Sequence, residues 1–175
     1  MNALAKAHHL DIGIGGVHVR LHTDSTDFIA LMANRFRGFT GHVAQPDHVF
    51  DVEIVPVTYG DDESLDGITT EVSVLRDGEL WRLLCGDFDA EWDPRTRHGH
   101  VRLHPSPYSL DSVLRILHTV MLAEQGGMLM HASSVVLDGK AYLFTGVSGA
   151  GKTTISRLAP DHAHLLTDEM SFIRL

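Results

Sequence analysis

Apolar and polar residues alternate along much of the first half of the chain, with the period of two that is typical of β-strands. The segment from Ile12 to Leu21 follows this pattern, and its glycines predict a strand or a tight hairpin. Further strands are predicted over residues 49–59, 70–75, 79–85, 87–92 and 99–104. Asp77-Gly78 and Asp93-Pro94 mark turns between neighbouring strands, and the acidic residues of 60–67 predict a solvated connection.

Two segments have the spacing of an amphipathic helix. The first is predicted after the capping residues 24–27, with an apolar face formed by Phe28, Leu31, Met32 and Phe36. From Ser109 onward, apolar residues recur at i, i+3, i+4 and i+7, which predicts a longer helix ending at Gly126-Gly127. Two strands then follow over 128–137 and 140–145, joined by a turn at Asp138-Gly139. The next helix is predicted to be short, because Pro160 follows closely. Two further strands are predicted over residues 164–167 and 170–175.

Composition indicates a folded chain without an obvious nucleic-acid or membrane partner. Of 175 residues, 43% are hydrophobic and 21% are charged, which is enough apolar material for a packed core. The net charge of −9 argues against nucleic acid as a partner. No apolar run approaches the roughly 20 residues that span a bilayer. The lone Cys85 excludes an internal disulfide and fits the reducing cytoplasm.

Thirteen histidines are many for this length, so a metal centre has to be considered. None lies in an H-E-x-x-H pattern or pairs with cysteines at zinc-site spacing. Surface or partly buried structural histidines are therefore the predicted interpretation.

Residues 146–153 read Gly-Val-Ser-Gly-Ala-Gly-Lys-Thr, which is the G-x-x-x-x-G-K-[ST] pattern of a phosphate-binding loop. A predicted strand precedes it and a predicted helix follows, as the motif requires. Glycines allow successive N–H groups to turn toward phosphate oxygens, while Lys152 reaches the β- and γ-phosphates and Thr153 ligates Mg²⁺. The predicted ATP-binding residues are Gly146, Val147, Ser148, Gly149, Ala150, Gly151, Lys152, Thr153 and Thr154.

An acidic pair and a histidine extend this prediction. Asp168 and Glu169 follow a predicted strand, where carboxylates hold Mg²⁺ and accept a proton from an attacking hydroxyl. The hairpin at Asp138-Gly139 is predicted to place His131 beside Gly146, the first residue of the loop. The number of residues from His131 to Asp138 roughly matches the number from Gly139 to Gly146. Thr153, Asp168 and Glu169 are thus the predicted metal ligands, with Asp168 and His131 as catalytic candidates.

Residues 127–135, which read Gly-Met-Leu-Met-His-Ala-Ser-Ser-Val, resemble the catalytic domain of the HPr serine kinase/phosphorylase family. The hairpin into the loop and the run Leu166-Thr167-Asp168-Glu169 extend the resemblance over about 108–175. It implies an ATP- and Mg²⁺-dependent kinase of the phosphoenolpyruvate carboxykinase-type superfamily that phosphorylates a serine. It further implies that Asp168 is the base, that Glu169 assists the metal and that His131 lines the phosphate site.

The chain departs from that family's pattern at several points. Glu169 stands where its kinases usually have a second aspartate, and Ala132 where they have glycine. Residues 1–104 do not resemble the N-terminal domain of HPr kinases, so a serine in an unidentified protein or peptide is the expected acceptor. About 30 residues follow Gly146, fewer than a complete nucleotide-binding domain needs, so we expect a truncated kinase domain.

The predicted fold class is α/β, or α+β overall. A β-rich module over 1–107 would precede an incomplete P-loop kinase domain over 108–175. The predicted activity is that of a cytoplasmic ATP-dependent kinase. A non-catalytic nucleotide-binding regulatory module and a small-molecule kinase stay open as alternatives, and so does oligomerisation.

Overall fold

Eleven strands and three helices form in the part of the chain that the computed structural model describes, residues 8–56 and 71–174. The predicted acidic connection over 60–67 lies outside these described residues. The same is true of the ends of three predicted strands, namely residues 57–59, residue 70 and Leu175. The chain divides into two compact units, Met1–Leu117 and His118–Leu175. The domain boundary predicted between residues 107 and 108 lies at the start of a long helix, Pro107–Glu124. The observed division between the units, at Leu117 and His118, lies further along the same helix.

The first unit is organised around a seven-stranded sheet with the order β1-β2-β3-β7-β6-β5-β4. The strands are β1 (His8–Ile14), β2 (Val17–Thr23), β3 (His48–Ile54), β4 (Ser73–Asp77), β5 (Leu80–Cys85), β6 (Phe88–Asp93) and β7 (His98–Leu103). Strand β3 runs parallel to β2 and β7, and the other neighbours are antiparallel. The sheet is therefore mixed.

Alternation along β2 shows why one face of this sheet is buried. Val17, Val19 and Leu21 are at most 1% exposed, whereas His18 and His22 point to the more open face. Because successive side chains of a strand lie on opposite faces, a period of two separates core from surface. The same alternation continues into β3, β6 and β7, whose buried hydrophobic residues are Phe50, Val52, Phe88, Ala90, Trp92, Val101 and Leu103.

Helix α1 (Thr26–Arg35) begins at a side-chain cap, since the Ser25 hydroxyl accepts a 3.2 Å hydrogen bond from the Phe28 N–H. Phe28 and Met32 are buried, as predicted. Leu31 is 40% exposed, and Phe36 is the C-terminal cap, so the apolar face is narrower than the sequence suggested.

Helix α2 (Pro107–Glu124) crosses the division between the units. Its apolar positions Leu110, Val113, Leu114 and Leu117 are buried, which confirms the predicted helical spacing. The helix ends as expected near Gly126, whose φ of 77° favours glycine.

The second unit is a small antiparallel sheet with one short helix. Its elements are β8 (Met128–Leu137), β9 (Lys140–Thr145), α3 (Lys152–Arg157), β10 (His164–Thr167) and β11 (Met170–Ile173). Strand β8 lies in the centre of this sheet. Strand β9 pairs with one side of β8, and β10 and β11 pair with successive parts of its other side. The turn between β8 and β9 is the predicted Asp138-Gly139, where both residues have positive φ.

The predicted fold class, α/β and α+β overall with an incomplete P-loop kinase domain, is wrong. Strands outweigh helices in the described residues, and the first unit is built on a mixed sheet. In the second unit all the described pairings with β8 are antiparallel, whereas α/β folds rest on parallel strands covered by helices. The tight turn at Asp138-Gly139 requires antiparallel pairing, and α3 ends after six residues, shortly before Pro160.

Among the residues described, no helix combines the length and apolarity that a bilayer crossing requires.

Candidate functional site

Strand pairing in the second unit brings two chain segments to one edge of the sheet. Because β9 and β10 each pair antiparallel with β8, they run parallel to one another with β8 between them. Their carboxyl ends therefore meet at the same edge. Thr145 at the end of β9 lies opposite Ala132, and Thr167 at the end of β10 lies opposite Ser134. The glycine-rich loop follows one of these ends and the acidic pair follows the other.

The loop between β9 and α3 depends on glycine at three positions. Gly149 has a φ of 79° and Gly151 a φ of 87°, in the left-handed region that other residues rarely adopt. Gly146 has a φ of 157°, and a Cβ at this position would lie 3.0 Å from the Cβ of Ala150. The conformation thus explains the two glycines that the motif requires, Gly146 and Gly151, and favours glycine at Gly149 as well.

Lys152, the first residue of α3, folds back across the loop. Its Nζ donates hydrogen bonds of 2.9 Å to the Gly146 carbonyl and 3.1 Å to the Val147 carbonyl. The side chain therefore joins the end of the loop to its beginning. Among the described residues, the hydrogen-bond partners of Lys152 are these two neutral carbonyls. Lys152 can exchange them for phosphate oxygens, which form stronger charge-assisted bonds.

A cavity of about 470 Å³ opens between the loop and the acidic pair. The residues that line it are His131, Ser148, Gly149, Gly151, Lys152, Thr153, Thr154, Asp168 and Glu169. The structure therefore brings together all three predicted metal ligands and both predicted catalytic residues.

Three residues of the predicted loop do not line this cavity. Gly146 contributes its carbonyl to Lys152, and the Val147 side chain is 79% exposed. Ala150 lies instead at a second cavity of about 370 Å³, on the side of Leu143, Phe144 and Ile155. The loop thus presents only part of its length to the acidic pair.

Asp168 and Glu169 lie in an interruption between β10 and β11. Thr167 Oγ1 accepts hydrogen bonds from the N–H groups of Glu169 (3.2 Å) and Met170 (3.3 Å), which forms a tight turn. The Glu169 carbonyl still accepts a 3.1 Å bond from the Ala132 N–H on β8. These contacts therefore hold the backbone that carries both carboxylates at the sheet edge.

The position of His131 agrees with the predicted hairpin register. Ala132 pairs with Thr145, so His131 is level with Gly146 on one side, and it pairs with Met170 on the other. Its side chain is exposed and lines the cavity. The count of residues on either side of the turn was sufficient to place it.

Sequence reasoning missed Arg157 and a group of supporting serines. The Arg157 guanidinium lies 4.0 Å from Asp168 Oδ2, with side chains 73% and 49% exposed, so the ion pair contributes little to stability. Beneath the site, buried Ser171 donates to the Ala132 carbonyl at 3.1 Å and contacts the Ser134 hydroxyl at 3.0 Å. The two serines meet because β11 pairs with β8, and this long-range pairing is not visible in the local spacing of the sequence.

No protein-family model matches the chain, and no curated protein matches it. The resemblance to the HPr kinase family, the ATP and Mg²⁺ cofactors and the kinase activity therefore stay predictions.

Proposed function

We propose that the chain binds ATP with Mg²⁺ and transfers the γ-phosphoryl group to a serine-type hydroxyl of a protein or peptide. The observation that carries this proposal is the shared cavity. A G-x-x-x-x-G-K-T loop and an acidic pair line the same space of about 470 Å³. A triphosphate needs amide donors and a cation on one side, and carboxylates that hold a metal on the other.

Binding would replace the internal bonds of Lys152. The ammonium group leaves the carbonyls of Gly146 and Val147 and binds the β- and γ-phosphates. Because α3 has only six residues, the phosphate contacts come mainly from loop amides and Lys152 rather than from a helix dipole.

The oxygen donors at the cavity fit Mg²⁺ by their chemistry. A hydroxyl on Thr153 and carboxylates on Asp168 and Glu169 are hard ligands of the kind that this ion prefers. When bound, the ion supplies positive charge that neutralises the phosphate oxygens.

The transfer step assigns a role to each side chain. The acceptor oxygen forms a bond to the γ-phosphorus while the bond from that phosphorus to the β–γ bridging oxygen breaks, and ADP leaves. Asp168 accepts the hydroxyl proton, Lys152 stabilises the charge on the transferred group, and His131 contacts a phosphate oxygen.

The resemblance to HPr serine kinases supports a serine in a protein or peptide as the acceptor. Residues 1–104 do not resemble the N-terminal domain of HPr kinases, which argues against HPr itself as the acceptor. We place the activity in the cytoplasm, where ATP is supplied and the lone Cys85 thiol stays reduced.

One observation favours a second candidate, a non-catalytic nucleotide-binding regulatory module. His131, Asp168 and Glu169 are all exposed, whereas phosphoryl transfer benefits from a site that excludes water. In this alternative, ATP binding changes the contacts with a partner and no product forms.

Calorimetric titration of the full chain with Mg-ATP tests binding. We expect Lys152→Ala to weaken the affinity by at least about tenfold, because hydrogen bonds to charged groups contribute about 1.5–3 kcal/mol. Lys140→Ala is the matched control, because Lys140 is an exposed lysine at the far end of β9. Equal affinity for Lys152→Ala and wild type would refute the proposal.

Incubation with γ-labelled ATP separates the two candidates. Label on serine peptides supports the kinase, and label on small hydroxyl metabolites points to a small-molecule kinase. Tight ATP binding without labelled product in either set supports the regulatory module.

A further inference from the structure

The segment after α1 returns to β1 and places His42 beside two residues of that strand. The Gly13 N–H donates to the Phe39 carbonyl at 2.8 Å, Ile12 forms an isolated bridge with Thr40, and the Gly41 N–H donates to the Asp11 carbonyl at 3.4 Å. These backbone contacts fix residues 39–41 against the strand. His42 follows directly.

Three side chains of this region offer ligand atoms to one point. One nitrogen from His9, one from His42 and one oxygen from Asp11 lie within 4.8 Å of one another. The same residues line a cavity of about 310 Å³. His9 and His42 are exposed to solvent, whereas the Asp11 side chain is only 4% exposed.

Asp11 is held as a carboxylate. Arg20 Nε donates to Oδ1 at 2.7 Å, an Arg20 terminal nitrogen donates to Oδ2 at 2.8 Å, and the Val43 N–H donates to Oδ2 at 3.0 Å. These hydrogen bonds hold the acidic ligand in a fixed orientation.

We propose that His9, Asp11 and His42 bind a divalent transition-metal ion of the Zn²⁺ type. Two imidazoles and one carboxylate are a ligand set that zinc accepts, with a fourth position left for water or a further ligand. Imidazole nitrogens disfavour Mg²⁺ and Ca²⁺, which take oxygen ligands. Arg20 then acts as the partner that orients the ligating carboxylate.

The distance between His42 and Asp11 is compatible with a small side-chain movement. Tetrahedral ligands about 2.0–2.1 Å from zinc lie about 3.3 Å apart. His42 Nδ1 lies 3.8 Å from Asp11 Oδ2, so an approach of about half an ångström is needed at this pair. His42 is 80% exposed, so its ring can rotate without disturbing the core. The nearby guanidinium opposes a second cation, and we therefore expect weaker binding than at a four-residue structural zinc site.

This site lies in the first unit and does not depend on the proposed nucleotide function. Its test uses the full chain with any affinity tag removed, titrated with Co²⁺ while the visible d–d absorption is followed, and then with Zn²⁺ as competitor. We expect one site whose cobalt absorption is displaced by Zn²⁺.

Single substitutions assign the site. His42→Ala is expected to weaken Zn²⁺ affinity by at least about tenfold, as loss of a ligand does, without affecting the fold. His9→Ala should have the same effect. His100→Ala is the matched control, because it removes an exposed histidine from β7 of the same sheet. Absence of a Co²⁺ site, or equal affinities for His42→Ala and His100→Ala, would overturn the proposal.

Discussion

The ammonium group of Lys152 donates a 2.9 Å hydrogen bond to the carbonyl oxygen of Gly146, which joins the first residue of α3 to the first residue of the glycine-rich loop. The loop is thus already curved around the position where a phosphate would bind. This preformed curvature depends on backbone conformations that only glycine adopts without strain. Substitutions in the loop should therefore affect both stability and phosphate binding.

We predict that Gly149→Ala lowers stability by about 1–2 kcal/mol, because a left-handed conformation strains any residue with a Cβ. Apart from the adjacent residues of the chain, no atom of the described residues lies within 4 Å of the added Cβ, so the effect comes from the backbone alone. Urea denaturation measures the change. Gly41→Ala is the control, since it also has open space but no positive φ, and equal losses in the two variants would contradict the prediction.

Asp168→Asn should reduce the rate of phosphoryl transfer by about 10²–10⁴-fold, the range expected when a general base is removed. Initial rates with γ-labelled ATP and a serine peptide give the measurement. Asp161→Asn, an exposed aspartate between α3 and β10, is expected to retain the wild-type rate. An unchanged rate in Asp168→Asn would exclude it as the base.

Gly99→Ala is predicted to destabilise the first unit by about 1–3 kcal/mol or more through overpacking. A Cβ at this position of β7 would lie 2.3 Å from a ring carbon of Phe50 and 2.7 Å from the Glu91 carbonyl oxygen. Thermal unfolding monitored by circular dichroism tests this. A melting temperature equal to that of Gly41→Ala would show that the sheet accommodates the methyl group.

Arg20→Met should destabilise the protein by about 3 kcal/mol at neutral pH, because it leaves the buried Asp11 carboxylate without its partner. In the wild type, the Arg20 hydrogen bond lowers the pKa of Asp11, so its contribution to stability is present above the unfolded value near 3.8. That contribution is lost as the pH falls through the folded pKa. The difference between Arg20→Met and wild type should therefore shrink below pH 3.8, and denaturant titrations across pH measure it. A difference independent of pH would mean that lost packing, rather than lost charge, destabilises the variant.

Local elements were predictable from the sequence, because turn chemistry and periodicity act over a few residues. The hairpin at Asp138-Gly139 is confirmed, and its register places His131 beside Gly146. The hairpin signalled by Asp77-Gly78 is also confirmed, although its two turn residues are Gly78 and Glu79 because Asp77 already pairs with Leu80.

The fold class was mispredicted because the phosphate-loop motif was taken to imply an α/β sheet. The motif specifies a strand, a loop and a helix start, but not the direction of the neighbouring strands. Pairing of β10 and β11 with the second edge of β8 joins residues more than thirty positions apart, such as Thr167 and Ser134. Such pairings depend on the packing of the whole sheet.

By itself, the sequence determined which residues form the loop, the turns and the buried faces, since each of these depends on neighbouring residues. Only the tertiary structure decided that Asp168 and Glu169 share a cavity with Lys152, and that His42 lies beside His9 and Asp11. The reason is physical: these groups meet through strand pairing and chain return, whose energies come from contacts between distant segments.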